Sequence, residues 1–409
     1  MRSLNLRKIL KVNNIPVIYE KVSDTSGLFT MSVFFRKGSV HEPTSVNGIS
    51  HVIEHMAFRQ TRDYSSEDIS RFSEMYGGYL NAYTSKEITS FYIKGFKENL
   101  ELFVKLLANI CFYPEFTSKD LSQEKNIIAE EINSTLDNPE EYLGELAEEK
   151  IFSGSPLQYP VSGTIESVNS LTLKTLTEYY RSNFTPENCV IAVCGDVDPD
   201  EVSMRISDNF PSAKAETAPN GEYTVNYNSF QHDKEFKSGQ IHAQMMFPAF
   251  RYSDERRFAL GGLGMILGGL MSSRLFQEVR EKRGLCYNIE SESILYAKGG
   301  YMSILFSCAP EKYDKVIRLC EKEIDKIVSR GITEDELVMI KNQLKFSYFS
   351  NFETLESRVQ MNFRHLYHYG ALLDEKYVLQ LVDSLSVKSV NSIAEDLLSK
   401  EYSLCRLLP

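Results

Sequence analysis

The feature that most constrains this chain is that its second half repeats its first. Thr117-Ser-Lys-Asp-Leu121 is similar to Thr333-Glu-Asp-Glu-Leu337, and Val168-Asn-Ser-Leu-Thr-Leu-Lys-Thr175 is similar to Val382-Asp-Ser-Leu-Ser-Val-Lys-Ser389. The offset from Thr117 to Thr333 is nearly the same as that from Val168 to Val382, so the register holds over a long stretch. A chain of 409 residues holds two to three domains. The duplication predicts two copies of one α+β domain, each an antiparallel-rich sheet covered by helices. The expected division is 1–210, a join at 211–221 and a second copy at 222–409. The join has loop composition, Pro211-Ser-Ala-Lys-Ala-Glu-Thr-Ala-Pro-Asn-Gly221, and no hydrophobic period.

Local patterns support sheet and helix in each copy. Lys8-Ile-Leu-Lys-Val12 and Ile15-Pro-Val-Ile-Tyr19 flank Asn13-Asn14 and predict a hairpin. Leu28–Arg36 is rich in β-branched and aromatic residues and predicts a strand. Ser65 or Ser66 caps an expected helix through Ile69, Phe72 and Met75, ending at Gly77-Gly78. Two alternating runs follow, Tyr79–Ser85 and Ile88–Ile93. Residues 100–111 then repeat apolar side chains at helical spacing.

Between these elements lies Asn47-Gly-Ile-Ser-His51-Val-Ile-Glu54-His55-Met-Ala-Phe-Arg59. On a helix His51 and His55 stand one turn apart on one face, with Glu54 beside them. Two imidazoles so placed can occupy two corners of a zinc tetrahedron, within reach of a carboxylate that works on bound water. Core histidines beside a surface glutamate are the plain alternative. With 7 His and 56 acidic residues in the chain, chance supplies the pattern only about 0.02 times.

The third ligand is sought on Leu121-Ser-Gln-Glu124-Lys-Asn-Ile-Ile128-Ala-Glu130-Glu131-Ile132. Positions 121, 124, 128 and 131 share one helical face, whereas Glu130 falls on the polar side. Carboxylates on an apolar stripe are costly unless paired or bound to metal. Glu131 is therefore expected to ligate and Glu124 to orient a ligating histidine. At the offset that relates Thr117 to Thr333, Ser347 replaces Glu131, and no second His-x-x-Glu-His follows residue 55. One copy carries the chemistry. The dense stretch Gly268–Tyr287 lacks the Gly-x-x-x-x-Gly-Lys-Ser/Thr phosphate loop and predicts a helix ending at Gly284 before a strand.

Composition narrows the remaining classes. A net charge of −11 argues against a nucleic-acid surface. No apolar run approaches the ~20 residues of a membrane span. The seven cysteines form no Cys-x-x-Cys pair, and several sit in apolar runs such as Val190–Cys194. They are expected as buried free thiols in a reducing compartment. No signal-peptide stretch opens the sequence, and a cytoplasmic location is expected.

At His51-x-x-Glu54-His55, with Glu131 far downstream, the chain resembles the inverzincins. These are the pitrilysin, insulin-degrading-enzyme and mitochondrial-processing-peptidase group of zinc peptidases. Gly77-Gly-Tyr-Leu-Asn81-Ala82-Tyr-Thr-Ser-Lys-Glu87 is similar to that family's substrate-pairing strand, and Arg280 with Tyr287 matches its substrate-gripping arginine–tyrosine pair. The length resembles the short bacterial members. The resemblance implies half of a clamshell chamber completed by a homodimer, one Zn2+ per chain and peptide or unfolded-polypeptide substrates. It implies Glu54 as general base, with Asn81, Ala82, Arg280 and Tyr287 binding substrate backbone. An inactive structural subunit of the same fold is the rival, opposed by the intact ligand set; a dedicated precursor-processing role is a narrower one. Arg59-Gln60 stands where relatives often have Lys-Gly, a difference expected to affect only a turn. The glycine-rich loop of the non-catalytic processing subunit is absent.

Overall fold

Asn13 and Asn14 both adopt positive φ, 50° and 63°, the conformation a two-residue hairpin turn needs and asparagine tolerates. They join β1 (Arg7–Val12) to β2 (Ile15–Lys21). The computed structural model describes residues 7–23, 26–215 and 222–409. Residues 216–221 of the expected join therefore lie outside the described residues.

The first sheet continues with β3 (Leu28–Phe35), β4 (Tyr79–Thr84), β5 (Thr89–Phe96) and β6 (Cys189–Gly195). Its spatial order is β1-β2-β6-β3-β5-β4. The second sheet comprises β7 (Gln231–Glu235), β8 (Ile241–Ala249), β9 (Cys286–Leu295), β10 (Gly300–Cys308) and β11 (Ser403–Leu408), ordered β7-β11-β8-β10-β9. Matched strand for strand, the orders are the same once β1 is set aside. In both, the last strand enters parallel to the first and antiparallel to the next, as β6 does with β2 and β3 and β11 with β7 and β8. The duplication read from sequence is thus a duplication of topology.

Five helices of the first copy matter here: α1 (Ile49–Ala57), α2 (Ser66–Met75), α3 (Leu100–Phe112), α4 (Ser118–Asp137) and α5 (Pro139–Ile151). Ser65 caps α2 through a reciprocal bond pair with Asp68. Leu100, Phe103, Val104 and Leu107 of α3 are buried with Val33, Phe35 and Phe91 in the core of the first sheet. A separate core covers the second sheet, built on Met245, Phe247, Met302 and Ile304. At Gly95 of β5 an added methyl would overlap the fully buried Phe103 ring, so a larger residue overpacks this contact.

The two compact units trade one segment each. The first unit holds residues up to Asn133, Tyr159–Tyr223 and Asn351–Ala371; the second holds Ser134–Gln158, Thr224–Ser350 and Leu372–Pro409. The traded helices begin at Pro139 (α5) and at Leu355 (the helix Leu355–Tyr369). Those starts are offset as Thr117 is from Thr333, so the two are the same element of the repeat. Leu355–Tyr369 packs on β3 and β6, with Phe363 stacked 3.9 Å from Phe34. Its Arg358 and Asn362 each donate at 2.6 Å to Glu20, which has no solvent exposure. Reciprocally α5 packs on β8 and β11, and its Glu148 accepts from Tyr296 and Tyr301 at 2.6 and 3.0 Å.

All seven cysteines are buried with free thiols. No helix among the described residues is long and apolar enough to cross a membrane.

Candidate metal centre

Helix α1 is rotated by its apolar residues. Ile49, Val52, Ile53 and Met56 have no solvent exposure and join the first core, leaving His51, Glu54 and His55 on the remaining side. The imidazole centroids are 4.6 Å apart. Helix α4 buries Leu121, Glu124, Ile128 and Ile132 and brings Glu131 over both histidines, each of its oxygens 3.6 Å from one Nε2. Donor atoms of His51, His55 and Glu131 all lie within 4.8 Å of one another. Ligands bonded tetrahedrally to zinc at ~2.1 Å would stand ~3.4 Å apart. The two imidazole–carboxylate separations fit a zinc ion of this donor set, with a fourth position left for water or substrate.

Glu124 holds His55 from behind. His55 Nδ1 lies 2.9 Å from Glu124 Oε2; a proton on Nδ1 leaves the Nε2 lone pair facing Glu131. The other Glu124 oxygen accepts from Arg59 Nε. The difference at Arg59 therefore does more than alter a turn, because its guanidinium fixes the carboxylate that orients His55. Burial alone would raise the Glu124 carboxyl, but bonds from His55 and Arg59 prevail and hold it below the usual range. Glu131 meets its expectation only in part: it faces the histidines, yet its side chain is 49 % exposed. Only Glu124 is buried. Glu131 sits at a more open side of α4, and the neighbouring His55 and His51 outweigh the effect of its partial burial and lower its carboxyl. Glu130 is exposed, as its helical face predicts.

Without metal the cluster is electrostatically split. Burial and the neighbouring His55 push His51 down to about 4. Burial also works against a charge on His55, but the Glu124 hydrogen bond and the nearby Glu131 carboxylate outweigh it and lift His55 to about 9. His51 Nδ1 is buried with no hydrogen-bond partner among the described residues.

Glu54 stands outside the three-ligand cluster. Thr84 Oγ1 donates to its Oε2 at 2.5 Å, and burial raises its carboxyl above the usual value. Thr84 ends β4, which pairs with β5 and, among the described residues, forms an edge of the sheet. On that edge the Ala82 N–H donates to Asn81 Oδ1 at 2.8 Å, and Asn81 Nδ2 donates to the Tyr79 hydroxyl at 2.9 Å. Arg280 and Tyr287 lie in the second unit. The guanidinium sits 5.1 Å from the Tyr287 ring centroid, and Tyr287 is 81 % exposed.

The second copy lacks both carboxylates of α4. Ile340 and Ser347 occupy the repeat positions of Glu124 and Glu131. Ile340 packs closely on the backbone of Gly262, where an added Cβ would lie only 2.6 Å from its Cδ1. Sequence reading gave Arg59 only an effect on a turn and assigned no role to Thr84. Neither carries a motif signal: each acts across the fold.

A family model described as Insulinase (Peptidase family M16) matches residues 18–165, and another, described as Peptidase M16 inactive domain, matches 170–344. A protein of Mycobacterium leprae named an uncharacterized zinc protease is 32% identical over 389 residues, covering 93% of this chain and 86% of that one. The chain belongs to peptidase family M16. The uncharacterized zinc protease YmxG of Bacillus subtilis is 29% identical over 399 residues, 97% of each chain. Among solved structures, a protease from Helicobacter pylori shares the fold with a TM-score of 0.91 at 20% identity, covering 99% of this chain and 100% of that one. An M16 inactive domain from Pseudomonas fluorescens gives 0.88 at 19%, covering 99% and 98%. The first matched region of this M16 chain contains His51, Glu54, His55, Glu124 and Glu131. The second contains Arg280, Tyr287 and the Ile340–Gly262 contact.

Proposed function

We propose that this M16 chain is a zinc-dependent metalloendopeptidase acting on unfolded peptides or flexible segments, with one zinc per chain. The observation that carries the reading is the convergence of His51, His55 and Glu131 beside Glu54, which is tied by Thr84 to an edge strand. Zinc, when bound, polarises the scissile carbonyl and makes the attacking water more acidic. His51, His55 and Glu131 hold the ion, and Glu124 keeps the His55 ring in the ligating tautomer. Glu54 takes the proton from water and returns it to the leaving amine. The Thr84 bond aims the carboxylate while it does so. Substrate adds to β4 as an extended strand, its backbone held by Asn81 and Ala82. A substrate carbonyl competes for the Ala82 N–H with the Asn81 amide that now accepts it.

Strand addition requires an extended chain, so a diverse unfolded peptide library should be cleaved with added zinc. Sites buried in a stable folded protein should resist. Rapid cleavage at such buried sites, or no hydrolysis of any peptide, overturns the reading.

Arg280 and Tyr287 are proposed to grip substrate backbone across a homodimer, one chain's pair serving the other's zinc. Two inactive variants, Glu54→Gln and Arg280→Ala, mixed under subunit exchange should then regain about one quarter of wild-type activity. Half the dimers are mixed, and each mixed dimer has one complete site in two. If the pair serves its own chain, mixing restores nothing even when exchange is verified.

A further inference from the structure

Helix α1 must begin in register, because one rotation of its first turn would swing both imidazoles away from Glu131. Yet its N-terminal residue Gly48 has no side chain to cap the first turn, and at φ 90° it lies in the left-handed region. The surrounding turn has no slack. A Cβ on Gly48 would stand 2.6 Å from the Ser162 carbonyl oxygen, and one on Gly163 would stand 2.6 Å from that of Asn47. Asn47 is 4 % exposed; it donates to the Pro160 carbonyl at 3.1 Å, and its own carbonyl accepts from Ser167 at 2.8 Å.

The missing cap comes from the preceding loop. Glu42 Oε2 accepts from the Gly48 N–H at 2.7 Å and from Asn47 Nδ2 at 3.1 Å, while Oε1 accepts from the Ser50 N–H at 2.8 Å. Both carboxylate oxygens are thus spent on the start of one helix, one residue before His51. A negative group here also complements the helix dipole. A capping serine would hold a single amide; the two-pronged carboxylate holds two amides and a side chain, which fixes the rotation of the first turn as well as its end.

We propose that Glu42 is a positioning residue for the metal centre: by clasping Gly48, Ser50 and Asn47 it sets the rotation of α1 that presents His51 and His55 to Glu131. This rests on the reading of His51, His55 and Glu131 as a metal site. Glu42 touches neither metal nor substrate and acts only through the helix. Its loss loosens the two histidines while leaving the rest of the first unit folded.

The test uses cobalt(II) as a visible probe in the full chain, at a temperature where every variant is folded. Glu42→Ala should raise the cobalt dissociation constant at least ~10-fold, the scale seen when a ligand loses its support. It should also weaken and shift the ligand-field bands. Glu42→Gln, which keeps one acceptor oxygen, should move both in the same direction but less, and it remains readable if the alanine variant does not fold. Gly95→Ala is the control: it destabilises the same unit by overpacking Phe103, far from α1 in the sequence, and should leave the cobalt spectrum of wild type. If both Glu42 variants bind cobalt as wild type does, or if Gly95→Ala perturbs the bands equally, the assignment falls. A wild-type chain that takes up no cobalt or zinc removes the metal reading itself, and the role of Glu42 with it.

Discussion

Glu54→Gln should yield a folded chain that keeps its metal but hydrolyses unfolded peptides at least ~10²-fold more slowly, the scale of a lost general base. That factor corresponds to ~2.7 kcal/mol of barrier. Folding should survive because the glutamine carbonyl still accepts the Thr84 hydroxyl that now bonds to Glu54 at 2.5 Å. Metal should survive because the convergent donors among the described residues belong to His51, His55 and Glu131. What the amide lacks is basicity. Steady-state kcat/KM on a quenched peptide, with metal content measured on the same sample, gives the answer. Turnover within a few-fold of wild type would remove Glu54 from the mechanism, whereas loss of metal would make it a ligand.

The second large effect is on metal retention. Elemental analysis of the pure chain should show about one zinc equivalent. His51→Ala, His55→Ala and Glu131→Gln should each lose it, and Glu130→Gln should keep it. Metal loss on Glu130→Gln with retention on Glu131→Gln would reverse the helix-face assignment. Retention should also depend on pH in a defined sense. The metal-free fold holds His55 at about 9 against an ordinary 6.5. Between those values the empty site carries a proton that the unfolded chain has released, and metal must displace it. Zinc affinity should accordingly climb as pH rises toward 9. The stability that the His55 proton lends the metal-free chain is complete below 6.5 and lost as pH rises through about 9. Competition with a chelator across that range measures the first; metal-free melting measures the second.

Some of this was legible because it is periodic. His51 and His55 are one turn apart, and Glu124 and Glu131 two turns apart, so any helix through them puts each pair on one face. Asn13-Asn14 states its turn locally through the φ that asparagine tolerates. A repeat with a constant offset predicts two sheets of one topology, since strand order follows from connectivity. That Ser347, at the repeat position of Glu131, carries no carboxylate is equally plain in the sequence.

Other features depend on how distant segments meet, which no local spacing encodes. Glu124 reaches across the fold to His55, and Arg59 rather than solvent takes its second oxygen. Thr84 holds Glu54 only because β4 ends beside α1. Glu42 is an ordinary loop glutamate in sequence and becomes a cap only when residues 160–167 wedge the turn at Gly48. The exchange of α5 for Leu355–Tyr369 also left no sign in the pattern, because an amphipathic helix records that it has a partner and not which sheet that partner belongs to. The sequence by itself thus determined the chemistry of the donors, through residue type and helical period. Their orientation was decided by tertiary structure, because hydrogen-bond direction depends on where separate segments come to rest.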